Sequence, residues 1–180
     1  MIFVIGRASS GKSRFAEDIA VRKSIEYDCQ KIYIATMENE TKASKQRIAK
    51  HRKQRDGKGF ETIEEMYILN DHINETEGKI VLLECVSNLC ANVLYKRYED
   101  STVSDEQIRE LADAVFSDIE GLYKHAKELI VVSADVFSEG KLFDGFTDNY
   151  LKLLALVNKK IAEKSESFIE VCAGIPCIVK

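Results

Sequence analysis

The 180-residue chain has no apolar run approaching the roughly 18 residues needed to cross a bilayer, so no membrane span is expected. The N-terminal apolar stretch ends within a few residues at a Gly/Ser-containing loop, too soon for a signal peptide. A basic excess is also missing: the formal net charge is -4 and the isoelectric point about 5.5, which argues against a nucleic-acid partner. No C-x-x-C pair occurs among the five cysteines, Cys29, Cys85, Cys90, Cys172 and Cys177. Their odd number and spacing point away from zinc and redox chemistry and toward small buried apolar residues in a reducing compartment, the cytoplasm. Internal repeats and disorder-prone composition are absent as well, and residues 99–104 form the only linker-like stretch. With 45% hydrophobic and 31% charged residues, the composition is that of a globular protein, and the length fits one domain over residues 1–180.

What is present begins directly after the apolar residues 1–5, with the run Gly6, Arg7, Ala8, Ser9, Ser10, Gly11, Lys12 and Ser13. Phosphate oxygens need several convergent donors, and the two glycines let the backbone turn its N–H groups inward without a side-chain clash. Lys12 reaches the outer phosphates, Ser13 offers a hydroxyl to Mg²⁺, and the helix that follows adds its positive end. The reading is a phosphate-binding loop for a nucleoside triphosphate.

Beyond the loop, apolar runs alternate with helical patterns. Strands are predicted over residues 2–5, 31–35, 79–83 and 129–133, a short extended piece over 60–63, and two terminal strands over 168–173 and 177–179. Helices are predicted over 12–27, 40–54, 66–74, 87–98, 105–125 and 151–162, with Ser104 and Gln107 as a capping box. This alternation builds an α/β fold, a mostly parallel sheet flanked by helices on both faces, and ligands in such sheets sit at the carboxyl ends of the strands. The phosphate loop, the segment 35–37 containing Thr36, and Glu84 all fall on that edge. An acidic residue ending an apolar strand suits a magnesium-facing carboxylate, so Glu84 joins Ser13 as the predicted Mg²⁺ pair. Residues 45–55 then supply a basic helix that folds toward the same edge, with His51 four residues after Arg47 and so on the same helical face. Cationic neighbours favour a neutral imidazole, which can attack phosphorus. On residue chemistry alone, His51 reads first as an anion-binding or surface histidine and second as a nucleophile. His72 and His125 are expected on helix surfaces.

Residues 6–17 (GRASSGKSRFAE), the block Tyr33-Ile34-Ala35-Thr36, the pattern Arg47-Ile48-x-x-His51-Arg52, then Glu61-Thr62 and Leu82-Leu83-Glu84-Cys85 leading to Asn92 occur in a fixed order. Their order and spacing resemble the bifunctional adenosylcobinamide kinase and adenosylcobinamide-phosphate guanylyltransferase family of cobalamin biosynthesis. The resemblance covers about the first hundred residues, with weaker matches at Asn158 and residues 174–180. It implies a RecA-like P-loop fold, a homotrimer, and two reactions. One is phosphorylation of adenosylcobinamide by ATP or GTP. The other transfers GMP from GTP, through a guanylylated histidine matching His51, to give adenosylcobinamide-GDP. It further implies Lys12, His51 and Glu84 as catalytic residues, and Thr36, Arg47, Arg52 and Glu61 beside the loop as nucleotide-binding ones. Residues 134–137 (ADVF) and 155–159 (ALVNK) depart from the family's Asn-Glu-Val-Gly and Gly-Arg-x-Asn-Gln segments, with Asp135 in the glutamate's place. A P-loop kinase lacking guanylyl transfer and a nucleotide-binding protein without catalysis remain alternatives at this level.

Overall fold

Along the chain, β1 (Ile2–Gly6) leads to α1 (Lys12–Glu26), β2 (Lys31–Ala35), α2 (Lys42–Arg55), β3 (Glu61–Glu64), a 3-10 turn (Leu69–His72) and the one-turn α3 (Ile73–Thr76). There follow β4 (Ile80–Glu84), α4 (Val86–Tyr98), α5 (Asp105–His125), β5 (Glu128–Ala134), α6 (Gly145–Lys164) and a closing hairpin of β6 (Ser167–Cys172) and β7 (Ile175–Ile178). The computed structural model describes residues 1–39, 41–98, 103–137 and 145–180. Most of the linker-like stretch, residues 99–102, and the expected helix start at Glu40 lie outside the described residues.

The strands make one sheet in the order β3-β2-β4-β5-β1-β6-β7. Every pairing is parallel except that of β6 with β7. All five residues of β4 are buried, as its continuous apolar sequence requires of a strand covered on both faces. Because side chains alternate along a strand, the sheet feeds two cores. Phe3, Ile32, Ile34, Val81, Leu83, Leu129 and Val131 face the helices α4, α5 and α6. Val4, Tyr33, Ile80, Leu82, Ile130 and Val132 face Ala16, Ile19 and Ala20 of α1. The α5 stripe Ile108, Leu111, Ala112, Val115, Ile119 and Leu122 is buried, and its predicted cap forms: Ser104 Oγ accepts from Gln107 N–H while Gln107 Oε1 accepts from Ser104 N–H. These elements realise the expected P-loop α/β architecture.

Three expectations are corrected. Residues 66–74 do not make one helix, because the Glu65 carboxylate accepts from the N–H groups of Tyr67 and Ile68 at 2.7 and 3.0 Å and turns the chain before the helical part begins. His72 does not stand on a helix surface; it bridges Glu65 at 3.2 Å and Glu75 at 2.8 Å. Cys172 and Cys177 are exposed rather than buried, since the hairpin lies at the sheet edge, where all four β7 residues face outward. Cys85 and Cys90 are buried as expected, and Cys29 is partly so.

Candidate active site

The loop between β1 and α1 follows its sequence reading closely. Gly11 takes φ +92°, a left-handed conformation open to glycine, and Ser10 N–H closes the turn onto the Arg7 carbonyl at 3.2 Å. Lys12 Nζ donates to that same carbonyl at 3.2 Å, so its ammonium folds back over the loop it would serve. Gly174 N–H donates to the Ser10 carbonyl at 2.8 Å, so the β6–β7 turn braces the loop from outside.

Parallel register brings β2 and β4 to the same edge, with Ala35 opposite Glu84. There Ser13 Oγ donates to Glu84 Oε1, and Glu84 is 8% exposed. Its second oxygen, Oε2, is buried without a hydrogen-bonding partner among the described residues, as are Ser10 Oγ and His51 Nδ1. A hydroxyl and a half-satisfied carboxylate are hard oxygen donors of the kind Mg²⁺ takes beside substrate phosphates, so these residues fit that ion. Burial, and then the Glu84 carboxylate, push the neighbouring Tyr33 phenol far above its ordinary pKa.

The basic helix α2 lies across this edge. Its start is fixed by a capping box between Thr41 and Ser44, and its sequence brings His51 Nδ1 to 3.9 Å from Glu84 Oε1. The imidazole thus lines the same cleft as the phosphate loop, beside the acid that holds the loop serine. Arg52 pairs with Glu64, at the carboxyl end of β3, and the Arg55 guanidinium lies 3.5 Å from the centre of the Tyr33 ring. These elements enclose a cleft of about 1030 Å³. Its walls include all the loop residues from Arg7 to Ser13, with Arg47, His51, Arg52 and Glu84. Asp135 and Val136 after β5, and Tyr150 and Leu151 on α6, also line it, so of the two segments that diverge from the family pattern residues 134–136 wall the site and residues 155–159 do not.

Two expected nucleotide contacts fall elsewhere. Thr36 is fully buried, and its hydroxyl both donates to the Cys85 carbonyl at 2.8 Å and accepts from Cys85 N–H at 2.7 Å, so it joins β2 to the β4–α4 junction. Glu61 begins β3, opposite Ile32 and away from the phosphate edge, and it faces Lys79 at 3.5 Å. Glu64, three residues on, is the β3 acid that reaches the cleft. Sequence reading missed Glu17, Tyr33, Arg55 and Tyr150. Glu17 left a signal as an acid within the buried stripe of α1 that also holds Ala16, Ile19 and Ala20, Arg55 as the end of the basic run 45–55, and Tyr33 as the start of the block 33–36.

Among solved structures, an ATPase domain is similar in fold, with a TM-score of 0.52 at 11% identity, covering 94% of this chain and 68% of that one. The bifunctional adenosylcobalamin biosynthesis protein CobU of Escherichia coli (strain K12) is 28% identical over 190 aligned positions, covering 100% of this chain and 99% of the relative. Residues 2–179 match the cobinamide kinase / cobinamide phosphate guanyltransferase family, and it is to this family of enzymes that the chain belongs.

Proposed function

We propose that the cleft carries out both reactions of its family, with His51 as the nucleophile of guanylyl transfer. The observation that carries this reading is the placement of His51 Nδ1 3.9 Å from the buried Glu84 carboxylate, in the cleft that the phosphate loop lines. A proton on Nδ1 turned toward that carboxylate leaves the Nε2 lone pair for attack, the orienting logic of base and acid in covalent catalysis. Nε2 attacks the α-phosphorus of GTP, an N–P bond forms, the bond to the bridging oxygen breaks, and pyrophosphate leaves. A phosphate oxygen of cobinamide phosphate then attacks the same phosphorus, the N–P bond breaks, and the imidazole is regenerated. The positive charge that the guanylylated ring carries is faced by Glu84.

For the kinase reaction, Lys12 and the loop N–H groups bind the outer phosphates and stabilise charge on the transferred group. Ser13 and Glu84 would hold Mg²⁺, which when bound supplies charge neutralisation across the phosphates. Arg47 and Arg52 add positive charge along the cleft wall. Tyr150, Leu151 and Val136 give the opposite wall an apolar character suited to a bulky organic substrate, here adenosylcobinamide. The exposed Ile175, Ile178 and Val179 at the β7 edge support assembly of several copies, a trimer in this reading.

Incubation with α-labelled GTP and Mg²⁺ tests the nucleophile. Wild type should acquire an acid-labile, alkali-stable label, and His51→Ala should acquire none while keeping its GTP affinity. Label persisting on His51→Ala would place the nucleophile elsewhere, and an unlabelled wild type would leave a kinase alone.

A further inference from the structure

The helix that carries His51 has almost no apolar surface with which to hold its place. Arg55 is the one residue of α2 that is buried, and none of its side chains belongs to either hydrophobic core. Its attachment is polar and gathered at its last turn and the segment just after. There Glu17 of α1, 0% exposed, accepts from Gln54 Nε2 at 3.0 Å through one oxygen and from Lys58 Nζ at 2.9 Å through the other. Lys58 Nζ donates also to Asp18 at 2.9 Å. Burial works against the Lys58 charge, yet the hydrogen bonds to Glu17 and Asp18 outweigh it and hold the pKa above the ordinary lysine value.

Glu17 also lies close to the chemistry. One ligand-type atom from each of Glu17, His51 and Glu84 falls within 4.8 Å of the others. Glu17 is nevertheless a poor metal ligand, because both of its oxygens are engaged, one of them by an ammonium. The arrangement is a clamp: a fully buried acid on the helix that follows the phosphate loop grips the helix that bears the imidazole, one turn beyond that imidazole.

We propose that Glu17 is a positioning residue for guanylyl transfer, fixing the end of α2 through Gln54 and Lys58 so that His51 is held in line with the nucleotide on the loop. This rests on the reading of His51 as nucleophile. Lys12 and Ser13 do not depend on the clamp, so its loss should slow the attack while sparing triphosphate binding.

Single-turnover labelling from α-labelled GTP, at saturating nucleotide and as a function of its concentration, tests this with wild type, Glu17→Ala, Glu17→Gln and Lys58→Met. A misplacement of about 1 Å can cost roughly 100-fold in rate, so Glu17→Ala and Lys58→Met should label roughly 10- to 100-fold more slowly at saturation, with the half-saturating GTP concentration little changed. Glu17→Gln, whose amide oxygen can still accept from Lys58 while its NH2 donates to a flipped Gln54 carbonyl, should recover part of the rate. Lys58→Met keeps the test open if Glu17→Ala does not fold, because Lys58 lies at the surface end of the clamp. Wild-type rates at saturation in both variants would overturn the inference alone, as would a defect confined to half-saturation. A wild type that takes no label removes the His51 reading and this inference with it.

Discussion

Gly6, where β1 hands over to the phosphate loop, is the position at which one added methyl group should disturb fold and site together. A Cβ built there would lie 2.5 Å from the Val171 carbonyl oxygen and 2.6 Å from Ser10 Oγ. The serine can turn away, since its hydroxyl holds no partner among the described residues. The carbonyl cannot, because β6 is hydrogen-bonded to β1 on one side and to β7 on the other. The strands must part, and overpacking of this kind costs about 1–3 kcal/mol. In a chain of this size each kcal/mol moves the melting temperature by roughly 2–4 °C, so Gly6→Ala should melt about 2–12 °C lower. Displacing the loop also takes N–H donors away from the phosphates. A hydrogen bond to a charged group is worth about 1.5–3 kcal/mol, so losing one weakens triphosphate binding by roughly 10- to 150-fold. Gly78→Ala is the comparison: with φ +68° and nothing within 4 Å of the added methyl, it carries backbone strain alone, at the far edge of the sheet. Thermal melts and titration with a fluorescent triphosphate analogue decide. If Gly6→Ala binds nucleotide as tightly as Gly78→Ala does, the account of the loop is wrong.

Two further outcomes follow from single polar groups. Thr36→Val should leave the Cys85 N–H unpaired, while the Cys85 carbonyl keeps the N–H groups of Asn88 and Leu89, at a cost of about 1–3 kcal/mol, with the loss seen in melting rather than in triphosphate affinity; a nucleotide-binding defect with unchanged melting would restore Thr36 to the site. His72 is opposed in its charge by burial, but Glu75 and Glu65 outweigh this and raise its pKa above the usual 6.5. A raised histidine stabilises fully below its unfolded value and loses that contribution as pH climbs through the folded one, with Glu65 ionised throughout because its own pKa is lowered. The melting gap between wild type and His72→Ala should therefore be wider near about pH 6 than near about pH 9, and a gap that grows with pH would refute the assignment.

The parts of the site legible in the sequence are those whose cause is local. A loop needing glycine at a positive φ, a strand buried on both faces, and a cap joining Ser104 to Gln107 are each written within a few residues. Glu84 was legible because a carboxylate ending an apolar strand has one edge on which to stand. Thr36 ends the neighbouring strand just as plausibly, yet its hydroxyl is spent on a backbone 49 residues away. Glu61 and Glu64 could not be ranked without the register, which sets Glu64 opposite Ala35 at the phosphate edge and Glu61 at the other end. Glu17 shows the limit most clearly, for its partners lie 37 and 41 residues further along, and a buried acid on a helix says nothing of what will satisfy it.

The same clamp bears on how α2 keeps its place with so little apolar surface. An apolar face on α2 would fix the helix, and His51 with it, permanently over the phosphate loop. Instead α2 carries Lys42, Lys45, Arg47, Lys50, Arg52, Lys53 and Arg55 with no acid of its own. Like charges three and four residues apart destabilise a helix by about 0.2–0.5 kcal/mol a pair, so a helix of this composition is at its most favourable beside a polyanion. A triphosphate on the loop would supply that counter-charge from one side, and Glu17 supplies a fixed acid from the α1 side. In the proposed mechanism, triphosphate binding and the seating of His51 are thereby coupled through charge, with the hydrophobic core left out of it.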